Sequence, residues 1–236
     1  MSDPTASPFK SRGFKIAAVV IGLLIVSALV IAVASFFNGG DAPDPTSAPI
    51  SPSEVAPEDA SACGLEGFES VSSLTAAPGN DWELVGTAAA PTDRDGAGPG
   101  VIDADGFRSC YAHTAEGALF AASNFVALGT DATLRARLTE LVAPGPGRDV
   151  VEAQQGQGTG STLRAQIAGF NVGAYSETSA TVDLAVSYSS GDLVSIPIKL
   201  EWIEGDWKLV LSDDGSMPLQ PAALSSLGGF IPWAGA

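Results

Sequence analysis

Lysine is almost missing from most of this chain. Beyond residue 37 only Lys199 and Lys208 remain, and acidic side chains outnumber basic ones there by 26 to 8, a net of −18. A field of that sign repels phosphate backbones, which argues against direct nucleic-acid binding by this portion. There is one histidine, His113. A Ser–His–Asp triad would have to use it, and no nucleophile-elbow pattern is present. Cysteines number two, Cys63 and Cys110. Together with His113 they fall short of four zinc ligands unless carboxylates complete the set. Gly156-Gln157-Gly158-Thr159-Gly160 lacks the following lysine of a phosphate-binding loop and reads as a flexible loop. Asp93, Asp95, Asp103 and Asp105 stand among glycines, but the twelve-residue calcium loop with its closing Glu is absent, so they read as turns. The expectation is no enzyme, no metal and no cofactor.

Charge is absent altogether from Ile16 to Phe37, where every residue is apolar or small. At ~1.5 Å per residue this stretch makes a helix of ~33 Å, enough to cross a hydrocarbon core of ~30 Å. Lys10, Arg12 and Lys15 precede it, and Asp41 and Asp44 follow. The positive-inside bias then places residues 1–15 in the cytoplasm as a short tail, 16–37 in the membrane as a single-pass anchor, and the rest outside the cell membrane. The rival reading is a signal peptide cleaved near Ala32-Val33-Ala34. The apolar run before that triplet exceeds the ~7–15 residues usual for a signal peptide.

Residues 38–62 carry prolines at 43, 45, 49, 52 and 57. Proline fixes φ and withholds a donor, so this reads as an extended, solvated spacer. Residues 63–110 form a loop-rich lead-in. In an oxidising compartment its bounding cysteines, Cys63 and Cys110, form one disulfide as the simplest pairing.

Residues 111–215 read as an α+β unit. Thr114 can cap a helix carrying Ala118, Leu119, Ala122, Phe125 and Val126 on one face. A second helix is expected from Asp131 with Leu134, Leu138, Leu141 and Val142 as its stripe, and a short third from Asp149 to about Gln155. Pro144-Gly145-Pro146-Gly147 separates them. The period then changes. Val182, Leu184, Val186 and Tyr188 alternate, as do Val194, Ile196, Ile198, Leu200 and Trp202, then Trp207, Leu209 and Leu211. With an earlier strand over 164–175 they predict an antiparallel meander of about four strands, covered on one face by helices. Trp82 to Thr87 predicts one more short strand. His113, just before the capping threonine, reads as a surface or helix-entry residue.

This order, together with the ending Ile198-Lys199-Leu200-Glu201-Trp202-Ile203-Glu204-Gly205-Asp206-Trp207-Lys208, resembles the nuclear transport factor 2-like cone, in which helices pack on a curved antiparallel sheet. The segment from Gly106 to Leu119, with Ser109-Cys110-Tyr111-Ala112-His113-Thr114 at its centre, resembles uncharacterised actinobacterial membrane-anchored proteins that accompany conjugative elements. Their architecture is similar to inner-membrane scaffold proteins of type IV secretion and conjugation channels. The resemblance implies a non-catalytic assembly subunit acting through protein–protein contacts or self-association; it supplies no catalytic motif.

Two apolar features point to partners. Residues 216–236 form an apolar tail in which Leu224, Leu227, Phe230, Ile231 and Trp233 either fold back on the domain or offer a contact for a partner subunit or the membrane. A pocket between helix and sheet, lined by Phe125, Val186, Ile198 and Trp202, would make the domain a binding module for an apolar small molecule or lipid.

Overall fold

The computed structural model describes residues 59–154 and 164–235. The expected membrane helix, most of the spacer and the 156–160 loop lie outside these residues. Among the described residues no helix is long and apolar enough to cross a membrane.

The chain is a mixed α+β structure built on a curved antiparallel sheet. Strands β1 (Asp81–Val85) and β2 (Ala88–Thr92) form a hairpin, and β3 (Val101–Ile102) pairs with β4 (Arg108–Ser109). Helix α1 (Ala115–Leu128) follows, then a 3-10 helix (Leu134–Leu141) and α2 (Pro146–Ala153). The main sheet is β5 (Ala165–Ser176), β6 (Ser179–Tyr188), β7 (Leu193–Ile203) and β8 (Asp206–Leu209) in consecutive antiparallel order. Bulges between Ile167 and Gly169 and between Val172 and Ala174 interrupt the β5–β6 register, the device by which a strand bends. β8 is reached through Glu204 and Gly205, with φ of 54° and 77°, the paired left-handed geometry of a two-residue hairpin loop.

Alternation determines the buried face. Val182, Leu184 and Val186 of β6, with Ile198 and Leu200 of β7, are fully or nearly fully buried. Against them α1 presents Ala118, Leu119 and Ala122, all at 0% exposure, and its small residues let the helix lie close to the sheet. Thr114 caps α1 by accepting the Gly117 N–H at 3.0 Å, and the Glu69 carboxylate accepts the Ala115 N–H at 2.9 Å.

Several elements differ from expectation. The second helix is 3-10 rather than α, with Leu134 and Leu141 buried and Leu138 packed alongside. So short a segment, halted by Pro144, gains little from an α-helical nucleus. α2 starts at Pro146, where a missing N–H costs nothing, and not at Asp149. The predicted strand at Trp82 ends at Val85 and is half of a hairpin. Its partner, Ala88-Ala89-Ala90-Pro91-Thr92, has no alternating pattern to announce it.

The apolar tail folds back on the domain. β9 (Ala222–Ala223) pairs with β7 and β10 (Ile231–Pro232) with β5. Trp233, expected among the residues offered to a partner, is buried at 6% exposure. It meets Trp82, Phe120 and Phe170 at centroid distances of 4.7, 5.7 and 5.5 Å, and its Nε1 donates to Asn80 Oδ1 at 2.9 Å. Leu224, Leu227, Phe230 and Ile231 are half-buried.

Candidate functional site

Residues 110–114 run between β4 and α1 and meet a cluster of buried polar groups. The predicted disulfide is formed: Cys63 and Cys110 are joined, with Cα atoms 6.2 Å apart. Asp206, at 5% exposure, faces this segment from the first position of β8. Its Oδ1 accepts the N–H groups of Tyr111 and Trp207 at 3.0 and 2.9 Å. Its Oδ2 accepts the Cys110 N–H at 3.1 Å and the Lys208 ammonium at 3.3 Å. Burial pushes the Asp206 carboxyl above the ordinary range, although Lys208 and the amides of Cys110 and Tyr111 pull the other way. Tyr111 is buried beside it with its hydroxyl unpartnered; burial, and then the Asp206 charge, hold that phenol well above its ordinary value.

His113 stands at the entry to α1, as one of the two expectations had it, but not at the surface. It is 1% exposed, stacked on Trp202 at 3.8 Å between centroids, and met edge-on by Phe68 and Trp207 at 5.1 and 5.7 Å. Its Nδ1 lies 2.9 Å from the Asp59 carbonyl oxygen, and its Nε2 faces that of Glu177. Main-chain carbonyl oxygens therefore face both ring nitrogens.

The end of the expected spacer is packed here as well. Ser61 is buried, the Ala62 N–H donates to the Gly205 carbonyl at 2.9 Å, and the Ser61 hydroxyl donates to the Tyr111 carbonyl at 3.1 Å. Residues 59–62 thus belong to the folded domain, because the disulfide and His113 draw them onto the β7–β8 turn.

A separate apolar cavity of about 300 Å³ opens beside the C-terminal half of α1. Phe125 and Ile198 line it as expected, joined by Val126, Ala165, Tyr188, Ile196 and Met217. The other two expected lining residues are elsewhere. Val186 is sealed in the core at 0% exposure, and Trp202 is spent on His113.

A polar groove of about 580 Å³ lies by the β1–β2 hairpin, lined by Asp81, Glu83, Asp93 and Asp95 with Arg94. Glu83 also pairs with the buried Arg108. Among the described residues no three His, Cys, Asp or Glu side chains converge closely enough to hold a metal. Glu116 titrates above its ordinary value through burial and then the nearby Asp93 and Glu69 charges.

Sequence reasoning missed Asp206 as a tie between elements, since an aspartate after glycine also reads as ordinary turn chemistry. The chain matches a protein family described as a domain of unknown function, DUF8175, over residues 42–232. No curated protein and no solved structure matches it.

Proposed function

As the chain belongs to the DUF8175 family, whose description carries no activity, we propose its role from its own architecture: a non-catalytic, membrane-tethered assembly subunit of an envelope machine. In this reading Ile16–Phe37 anchors it, the N-terminus is cytoplasmic, and a nuclear transport factor 2-like outer domain contacts other subunits or copies of itself. The conjugative setting comes from the resemblance of residues 106–119. A formed disulfide is consistent with an oxidising compartment, and the acidic surface with protein rather than nucleic-acid partners.

The observation that carries the reading is the outer edge of β1. Among the described residues β1 pairs only with β2, and its Leu84 is 77% exposed, the most exposed large hydrophobic side chain described. An open strand edge with an apolar side chain is a template for another chain. The test is a photo-crosslinker at Leu84 in the full-length protein in native membranes. Discrete crosslinked species, lost when the probe moves to exposed Glu66, support the reading; a monomer with no adduct at Leu84 overturns it. Protease added to intact spheroplasts should remove the acidic portion, and its survival would reverse the topology.

The apolar cavity favours a second reading, a binding module for an apolar small molecule or lipid. Its size sits at the lower end of small-molecule sites, ~300–1,000 Å³. Native mass spectrometry of protein extracted from membranes would reveal a bound apolar mass. Filling the cavity with Ile196→Trp should abolish that mass without unfolding the domain.

A further inference from the structure

The disulfide has two unlike ends. Cys63 is exposed, whereas Cys110 is buried at 5% exposure. Two donors address the Cys110 sulfur: the Ser61 hydroxyl at 3.1 Å and the Cys63 backbone N–H at 3.1 Å. Ser61 is itself buried, and its single proton is shared between Cys110 Sγ and the Tyr111 carbonyl oxygen. The Cys63 sulfur has only a longer approach from the same hydroxyl, at 3.6 Å. A disulfide sulfur is a weak acceptor and a thiolate a strong one. The donors therefore sit where charge develops if the S–S bond breaks with Cys110 leaving. Cys110 also has a φ of 65°, a left-handed backbone unfavourable for an L side chain. The Asp206 carboxylate on the Cys110 amide opposes a second negative charge, and Lys208 partly offsets it.

We propose that the Cys63–Cys110 bond is a directed thiol-exchange site for a dithiol reductant, with Cys63 the sulfur attacked and Cys110 the sulfur expelled. The reductant's thiolate forms a bond to Cys63 Sγ as the Cys63–Cys110 bond breaks, and the electron pair leaves on Cys110 as a thiolate received by Ser61 and the Cys63 amide. The reductant's second thiolate then attacks its own sulfur in the mixed disulfide, releasing Cys63 as a thiolate that takes up a proton. Two electrons pass to the protein, and the dithiol becomes a disulfide. Residues 59–62 then lose their covalent tie to Cys110 and keep the packing of Ser61 and the hydrogen bonds of Ser61 to Tyr111, Ala62 to Gly205 and Asp59 to His113.

Glutathione serves as the probe, applied to the full-length chain in detergent and followed by rapid alkylation and peptide mass spectrometry. The expected first product carries glutathione on Cys63 and the alkyl group on Cys110. Ser61→Ala should slow its formation about tenfold, the worth of one hydrogen bond to a charged acceptor, while Ser61→Thr stays within about twofold. Glutathione on Cys110, or spread evenly over both sulfurs, overturns the proposal, as does an unchanged rate in Ser61→Ala. So does reduction no faster than global unfolding measured by tryptophan fluorescence. If Ser61→Ala fails to fold, the position of the adduct in the unaltered protein and that rate comparison decide the matter.

Discussion

The Asp206 carboxylate accepts three main-chain N–H groups and still titrates above the ordinary carboxylate range, because burial outweighs them. Between the ordinary value and the raised one, the folded protein binds more protons than the unfolded chain. The stability owed to this group therefore falls as pH rises through that window. Asp206→Asn removes the titration and turns an amide NH₂ toward N–H donors, leaving at least one of them without an acceptor. It should cost about 1–3 kcal/mol. The gap between the two proteins should be widest on the acid side of the window and narrow as pH rises, read by urea unfolding at a series of pH values. A gap that widens with pH would show that Asp206 is stabilised as the anion.

At the scale of elements, α1 depends on how its first turn is approached. Gly117 lies in that turn, and a Cβ there would fall 2.0 Å from the Ala112 carbonyl oxygen, a main-chain atom that cannot swing aside. Intrinsic propensity alone favours alanine over glycine in a helix by ~1 kcal/mol. Sterics should reverse that sign: Gly117→Ala is expected to destabilise the domain by about 2 kcal/mol or more, measured by chemical denaturation. The start of α1 was legible because the cap is local, with Thr114 three residues from the N–H it accepts. The β6–β7 alternation was legible for the same reason, since side chains two apart share a face. β2 was not, because Ala88-Ala89-Ala90-Pro91-Thr92 becomes a strand only through pairing with β1.

Over the whole molecule, the tail and the lead-in close the structure from opposite ends of the domain. Trp233 joins the hairpin, α1 and β5 through Trp82, Phe120 and Phe170. Trp233→Ala should lose about 3–5 kcal/mol by leaving a cavity, whereas Phe230→Ala, half-buried, should lose under about 2 kcal/mol. Equal costs, measured by denaturation followed by circular dichroism, would mean that the tail is not anchored through Trp233. Cys63 and Cys110 are 47 positions apart, and on the chain-entropy account opening their disulfide removes about 4 kcal/mol.

What the amino-acid order determined by itself is what depends on counting or on near neighbours: a single way to pair two cysteines, an acidic surface, a capped helix and an alternating sheet. The tertiary structure alone decided which polar groups are interior. His113 meets Trp202 and Trp207, Asp206 holds the amides of Cys110 and Tyr111, and Trp233 reaches Asn80 across 153 positions. Such groups lose water on folding and must find partners, and only the path of the folded chain brings those partners within hydrogen-bonding distance.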